Sequence, residues 1–281
     1  MKRAAAGFLA IVVVAFFWSA PGGAAAALQA PAASAAPVCA KTWIGHEAEI
    51  EQYMRTAPIE KVEELPIGVT KPQRAFFAPG GLVASAAWKP LPPRMQGGFF
   101  ESYQAEVAAY AMDRLLDMHM VPPVVVRKMD GKVGALIFWV NGTKTWDIKN
   151  PIEGPDKLAW AHEVAKMKMF DQLIGNIDRN EGNLLVDGDY HLILIDHSRA
   201  FIPSKDLSRI AKLGRLDKTL WNKMLALDED SLKSAIGEWY GKREIGGILA
   251  RRDEMKKEVA TRLAHGSERA VFLADSVGGT D

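Results

Sequence analysis

Residues 174–201 read IGNIDRNEGNLLVDGDYHLILIDHSRAF. Three oxygen-bearing side chains in this stretch, Asp178, Asn183 and Asp196, stand five and then thirteen residues apart. The turn former Asp187-Gly188 and the apolar run Leu192-Ile193-Leu194-Ile195 lie between Asn183 and Asp196. The pattern predicts a loop, a strand, a turn and a second strand, with Asp196 held rigidly at the end of the last one. Phosphoryl transfer asks for such a set. One carboxylate accepts or orients the proton of the acceptor hydroxyl, while a neutral oxygen and a second carboxylate hold a hard cation against phosphate oxygens. Asp178 suits the first role. Asn183 and Asp196 suit the other two, with Mg2+ or Mn2+ as the cation. Each residue alone reads as part of a solvated Asn/Asp/Gly loop; the joint spacing and the flanking apolar strand favour a site.

Two charged residues upstream fit the same chemistry. Lys89 closes the apolar segment Leu82–Trp88, and Glu106 falls in the first turns of the next amphipathic segment, seventeen residues on. A strand lysine paired with a glutamate on the packing helix is a means of holding nucleotide phosphates. Glu101 is the nearest rival to Glu106, but Val107 and Tyr110 bracket Glu106 on the apolar side. No G-x-G-x-x-G precedes them. Gly68-Val69-Thr70-Lys71 is the candidate phosphate cover, through the backbone N–H of Gly68 and the hydroxyl of Thr70. The run Leu136–Val140, ending before Asn141-Gly142, stands where a linker between lobes would pass, so the backbone of Trp139 and Val140 is the candidate contact for an adenine.

Periodicity predicts helices over 42–56, 99–117 and 157–175. It predicts a hairpin over 73–89 turning at Pro79-Gly80-Gly81, and strands over 121–126 and 132–140 joined at Asp130-Gly131. After Pro203 the pattern is mostly helical to about Gly266. The expected architecture is α+β and two-lobed: a β-rich lobe with one long helix over residues 41–140, a mostly helical lobe over 141–270 and a flexible tail from 271 to 281. A cleft between the lobes would hold the site. His162, His191 and His197 are expected to be structural, since none has the partner spacing of a metal ligand.

The 281 residues are 48% hydrophobic and 25% charged with net charge +1, which leaves no electrostatic footprint for nucleic acid. Lys2-Arg3, the uncharged apolar run Ala4–Ala20 and the small-residue stretch to Ala36 have the anatomy of a secretory signal. Residues 1–37 are therefore expected to be a signal peptide or a membrane anchor with an Ala/Pro-rich leader. Export to a periplasm, the exterior or a secretory lumen follows, with membrane association through residues 4–20 if cleavage does not occur. Cys39 is the single cysteine, so no intrachain disulfide exists.

The stretches EVAAYAMDRLLDMHMVPPVV (106–125), FDQLIGNIDRNEGN (170–183) and LILIDHSRAF (192–201) together resemble secretory-pathway kinases of the four-jointed and Golgi casein kinase type. More distantly they resemble the phosphatidylinositol 3- and 4-kinases. The resemblance implies an atypical protein-kinase-like fold that uses ATP. It makes Lys89 and Glu106 the phosphate-anchoring pair, Asp178 the catalytic aspartate, and Asn183 and Asp196 the metal ligands. This chain departs from that pattern at several points. Asn183 stands where the secretory kinases carry an acidic residue, Asn180 replaces a histidine, and His197-Ser198 stand where many kinases have Phe-Gly. No activation segment follows Phe201. The function expected is phosphoryl transfer from ATP to a hydroxyl of a protein or glycan. A nucleotide-binding pseudokinase and a lipid or small-molecule kinase are the alternatives.

Overall fold

The computed structural model describes residues 40–65, 73–146, 151–208 and 210–275. Expectations for residues 1–39, including Cys39, and for Gly68 and Thr70 lie outside them. The described elements are α1 (Glu47–Thr56), β1 (Ile59–Glu64), β2 (Gln73–Phe77), β3 (Ser85–Lys89), β4 (Arg94–Gln96), β5 (Phe99–Glu101), α2 (Tyr103–Leu116), β6 (Val124–Met129) and β7 (Lys132–Phe138). They continue with β8 (Lys144–Thr145), α3 (Lys157–Ile174), β9 (Leu184–Val186), β10 (Leu192–Leu194), α4 (Lys218–Leu225), α5 (Glu229–Ile236), α6 (Lys242–His265) and α7 (Glu268–Val271).

Five strands form an antiparallel sheet in the order β1-β2-β3-β7-β6. Side chains alternate between its faces. Ala86 and Trp88 of β3, with Leu136 of β7, join Trp43, Ile50 and Met54 on one face, where α1 packs. Ala135 and Ile137 point the other way, onto Ala105, Ala108, Ala109 and Met112 of α2. Lys89 is two residues beyond Ala87, which packs on that same α2 side. The strand period therefore aims Lys89 at α2, and the alanines let the helix come close.

The helix expected over 99–117 begins at Tyr103 instead. Phe99–Glu101 pairs with Arg94–Gln96 as a hairpin, turning at Gly97 and Gly98, whose φ angles are 57 and 82. Two successive left-handed residues are what such a turn needs, and glycine adopts them without steric cost. Ser102 then caps α2, its hydroxyl accepting from Gln104 N at 3.0 Å. Glu101 thereby leaves the helix and ends a strand.

In the second half, Asp156 caps α3 by accepting from Leu158 N and Ala159 N. The helix buries Met169, Phe170, Leu173 and Ile174, each contributing about 1.5–3 kcal/mol on removal from water. It ends at Gly175 (φ 70), and the chain turns directly into the Asp178 loop. β9 and β10 pair antiparallel, with β8 on the outer edge of β9. Helix α5 packs on α2, and α6 on α3. No helix among the described residues is long and apolar enough to cross a membrane.

Candidate active site

Lys89 Nζ donates to Glu106 Oε1 at 2.8 Å and to Asp196 Oδ1 at 2.9 Å. Lys89 and Glu106 are buried, and Glu106 Oε2 accepts the backbone N–H of His197 at 3.0 Å. Burial opposes both charges, yet the neighbours outweigh it. Asp196 and Glu106 raise the Lys89 pKa, and Lys89 with the His197 donor lowers that of Glu106. A strand, a helix and the turn after β10 are thus joined through one ammonium group.

Asn183 ends a single 3₁₀ turn, Glu181–Asn183. Leu194 pairs with Leu184 and Ile195 N donates to Asn183 O at 3.2 Å, so Asn183 stands across the hairpin from the residue before Asp196. Its Nδ2 donates to Asp178 O at 3.0 Å, which leaves Oδ1 as the amide's acceptor. Asp196 Oδ1 also accepts from Ser198 Oγ at 2.9 Å, so Oδ2 is the oxygen left to meet a cation. One anionic and one neutral hard oxygen, carried at the same end of a hairpin, are the donor types that Mg2+ or Mn2+ takes. Asp196 itself has φ 57, a left-handed conformation that aspartate tolerates better than most residues.

Arg179 knits the loop together. It donates twice to buried Asp171, through Nε at 2.9 Å and Nη2 at 3.0 Å, and through Nη1 to the carbonyls of Asn183 and Ile195, both at 2.8 Å. Nη2 also reaches His197 Nε2 at 2.9 Å. That bond makes Nε2 an acceptor and puts the imidazole proton on Nδ1. Burial lowers the His197 pKa, opposed by Glu106, in keeping with an Nε2 that accepts from Arg179.

The structure brings Lys89, Glu106 and Asp196 into direct contact, and ties Asn183 to Asp178. Trp139 and Val140 are placed differently from each other. The Trp139 N–H already donates to Ser85 O at 3.2 Å, and its ring lies 4.1 Å beneath the Arg74 guanidinium. Val140 is buried in the cluster on the α1 side of the sheet. The Trp139 N–H is thus committed to the sheet.

Sequence reasoning assigned no role to Arg179, Asp171 or Arg199, and offered Glu101 only as a rival to Glu106 for the Lys89 partner. Arg199 donates to Glu101 Oε1 at 2.8 and 2.6 Å and to Asp178 Oδ2 at 3.1 Å. The Gly97-Gly98 pair was the signal that Glu101 belongs to a hairpin. Asp187, Asp189 and His191 also gather, with ligand atoms within 4.8 Å of one another. There Asp187 Oδ1 is engaged by the N–H groups of Asp189 and His191, as in an ordinary turn. A cavity of about 520 Å³ lies between the start of α3, the β9–β10 turn and α4. It is lined by none of the candidate site residues.

The phosphatidylinositol 3- and 4-kinase family matches residues 150–220, a span that contains Asp178, Asn183 and Asp196. No curated protein matches the chain significantly. Among solved structures, a Golgi casein kinase is similar over 82% of this chain and 78% of its own, at 16% identity and a TM-score of 0.61. The Golgi casein kinase with Mn/ADP bound gives 83% and 81%, 15% identity and 0.58. Hydra Fam20 with sugar gives 83% and 93%, 16% identity and 0.65. The chain has an α+β kinase-like fold similar to that of the Golgi casein kinases, and residues 150–220 also match the phosphatidylinositol 3- and 4-kinase family.

Proposed function

We propose that this protein is an exported kinase that transfers the γ-phosphoryl group of ATP to a hydroxyl of a protein or glycan acceptor. The observation that carries the reading is the single ammonium of Lys89 held between Glu106 and Asp196. In this arrangement Glu106 keeps Lys89 extended towards the nucleotide phosphates, and Asp178 faces the acceptor. The hydroxyl oxygen forms a new bond to the γ-phosphorus. The bond from that phosphorus to the bridging oxygen breaks, its electron pair leaves with ADP, and the hydroxyl proton passes to the Asp178 carboxylate. Asp196 and Asn183 would hold Mg2+ or Mn2+, which supplies charge compensation for the phosphate oxygens. The Mn/ADP complex of the similar Golgi casein kinase supports both ligands. Export rests on the charged and apolar pattern of residues 2–36.

The test is a thermal-shift titration of the full chain with ATP, with and without Mg2+ or Mn2+, beside Asp196→Ala. A metal-dependent rise in Tm that vanishes in the variant is expected. No shift with any nucleotide and metal would leave a fold without the chemistry. The family match over residues 150–220 favours a lipid kinase as the second reading. Phosphoryl transfer to phosphatidylinositol vesicles, with none to protein or glycan acceptors, would establish it.

A further inference from the structure

Asp178 lies on a loop whose backbone is well held. Its N–H donates to Asn176 Oδ1 at 3.3 Å, and its carbonyl accepts from the side chains of Asn180 and Asn183. Its carboxylate is another matter, being 40% exposed. Among the described residues Arg199 is the side chain that holds it. Arg199 is itself fixed from the other side by two donations to Glu101 Oε1, and its guanidinium sits 4.6 Å from the centre of the Phe99 ring. Both anchors belong to β5. Glu101 is wholly buried, and among the described residues its Oε2 has no hydrogen-bond partner. A buried carboxylate with one oxygen unsatisfied is costly, and the cation that pairs with it among the described residues is the group that reaches Asp178. A further tie, Ser102 N to Ser198 O at 3.0 Å, joins the end of β5 to the turn after Asp196.

We infer that Arg199 is a positioning residue that sets the Asp178 carboxylate for the acceptor hydroxyl, and that Glu101 and Phe99 of the β4–β5 hairpin hold Arg199 in place. This rests on the kinase reading for its functional consequence, though not for its geometry. The physical reason lies in the guanidinium's planar fork. One edge engages Glu101 and the remaining nitrogen points at Asp178, so rotation of Arg199 is blocked by a buried partner. A carboxylate fixed in this way orients a hydroxyl without first searching rotamers, and loose placement of a reacting group costs roughly 100-fold in rate. The hairpin thereby becomes part of the catalytic apparatus although it carries no reacting group.

The experiment combines crystal structures of Arg199→Met with phosphate release from ATP in Mn2+, water serving as acceptor, and with binding of ADP and Mn2+. The Asp178 carboxylate should leave its position in the variant, and turnover should fall roughly 100-fold while ADP affinity stays within about threefold. Asp178→Asn added to Arg199→Met should cost less than about threefold more, because the two residues act as a unit. If Arg199→Met does not fold, Arg199→Lys takes its place. Lysine lacks the planar fork by which two nitrogens engage Glu101 while a third reaches Asp178, so a loss of about tenfold with binding retained is expected. An unmoved Asp178 or fully multiplicative losses would overturn the inference. If the wild-type chain binds ADP and Mn2+ but transfers phosphate to nothing, the kinase reading fails. The position of Asp178 in the Arg199→Met crystals then decides the inference alone.

Discussion

Arg179 donates to His197 Nε2 at 2.9 Å, and through that bond the loop bearing Asp178 is locked to the turn after Asp196. The same guanidinium is paired with Asp171, whose side chain is 2% exposed. Replacing Arg179 by Met strands that carboxylate in the core and frees the carbonyls of Asn183 and Ile195. Urea unfolding should show a loss of about 3–5 kcal/mol, the usual cost of breaking a buried pair. Asp171→Asn with Arg179→Met should recover part of it. A loss below about 1 kcal/mol for Arg179→Met alone would contradict this account.

Asp178 and Lys89 should separate binding from chemistry. With Asp178→Asn, affinity for ATP and metal should stay near wild type while turnover drops at least ~100-fold, the scale of lost general-base catalysis. With Lys89→Met the nucleotide affinity itself should fall, and Glu106 is left buried without its cation. Isothermal titration beside steady-state rates measures both. Equal effects of the two changes on affinity would remove the distinction between their roles.

Gly134 is required by a close approach. A Cβ there would lie 2.5 Å from Lys89 O and 2.7 Å from Pro90 Cα, both backbone atoms that cannot swing aside. Gly134→Ala should therefore push β7 away from the end of β3, with a stability loss of about 1–3 kcal/mol typical of overpacking. Since the displaced residue is Lys89, nucleotide-dependent stabilisation should also decline. A variant with wild-type Tm and an unchanged nucleotide shift would show that the strands adjust freely.

Asp113 gives a pH dependence of known sign. Burial raises its pKa to about 6 despite the N–H donors of Met120 and Val121. A folded pKa above the unfolded 3.8 means that the native state binds the proton more tightly. This contribution is thus fully favourable below about pH 4 and is lost as pH rises towards 6. Asp113→Asn keeps an acceptor oxygen without the charge. Relative to wild type it should gain on the order of 2 kcal/mol between pH 4 and pH 8 in denaturant titrations. A difference independent of pH would show that Asp113 titrates normally.

Local pattern alone made much of this protein legible. Strand period and Asp-Gly turn chemistry set β3, the β6–β7 hairpin and β9–β10. Helical spacing set α3 and the inward face of α2 that carries Glu106. The placement of Asn183 opposite the strand end that carries Asp196 could be read because both lie on one hairpin, where their separation in sequence fixes which backbone positions pair. Short-range geometry of this kind needs no knowledge of the rest of the chain.

What the fold alone decided are the contacts between distant segments. Glu101 meets Arg199 across 98 residues, and α2 starts four residues later than its apolar pattern suggests because Gly97-Gly98 turns Phe99–Glu101 into a strand. The Trp139 N–H is spent on Ser85, a partner set by strand order and invisible to periodicity. Arg179, Asp171 and His197 appear as ordinary charged or polar residues along the chain. Their burial together is what makes them a network, since a charge removed from water is stable only beside the partners that packing supplies.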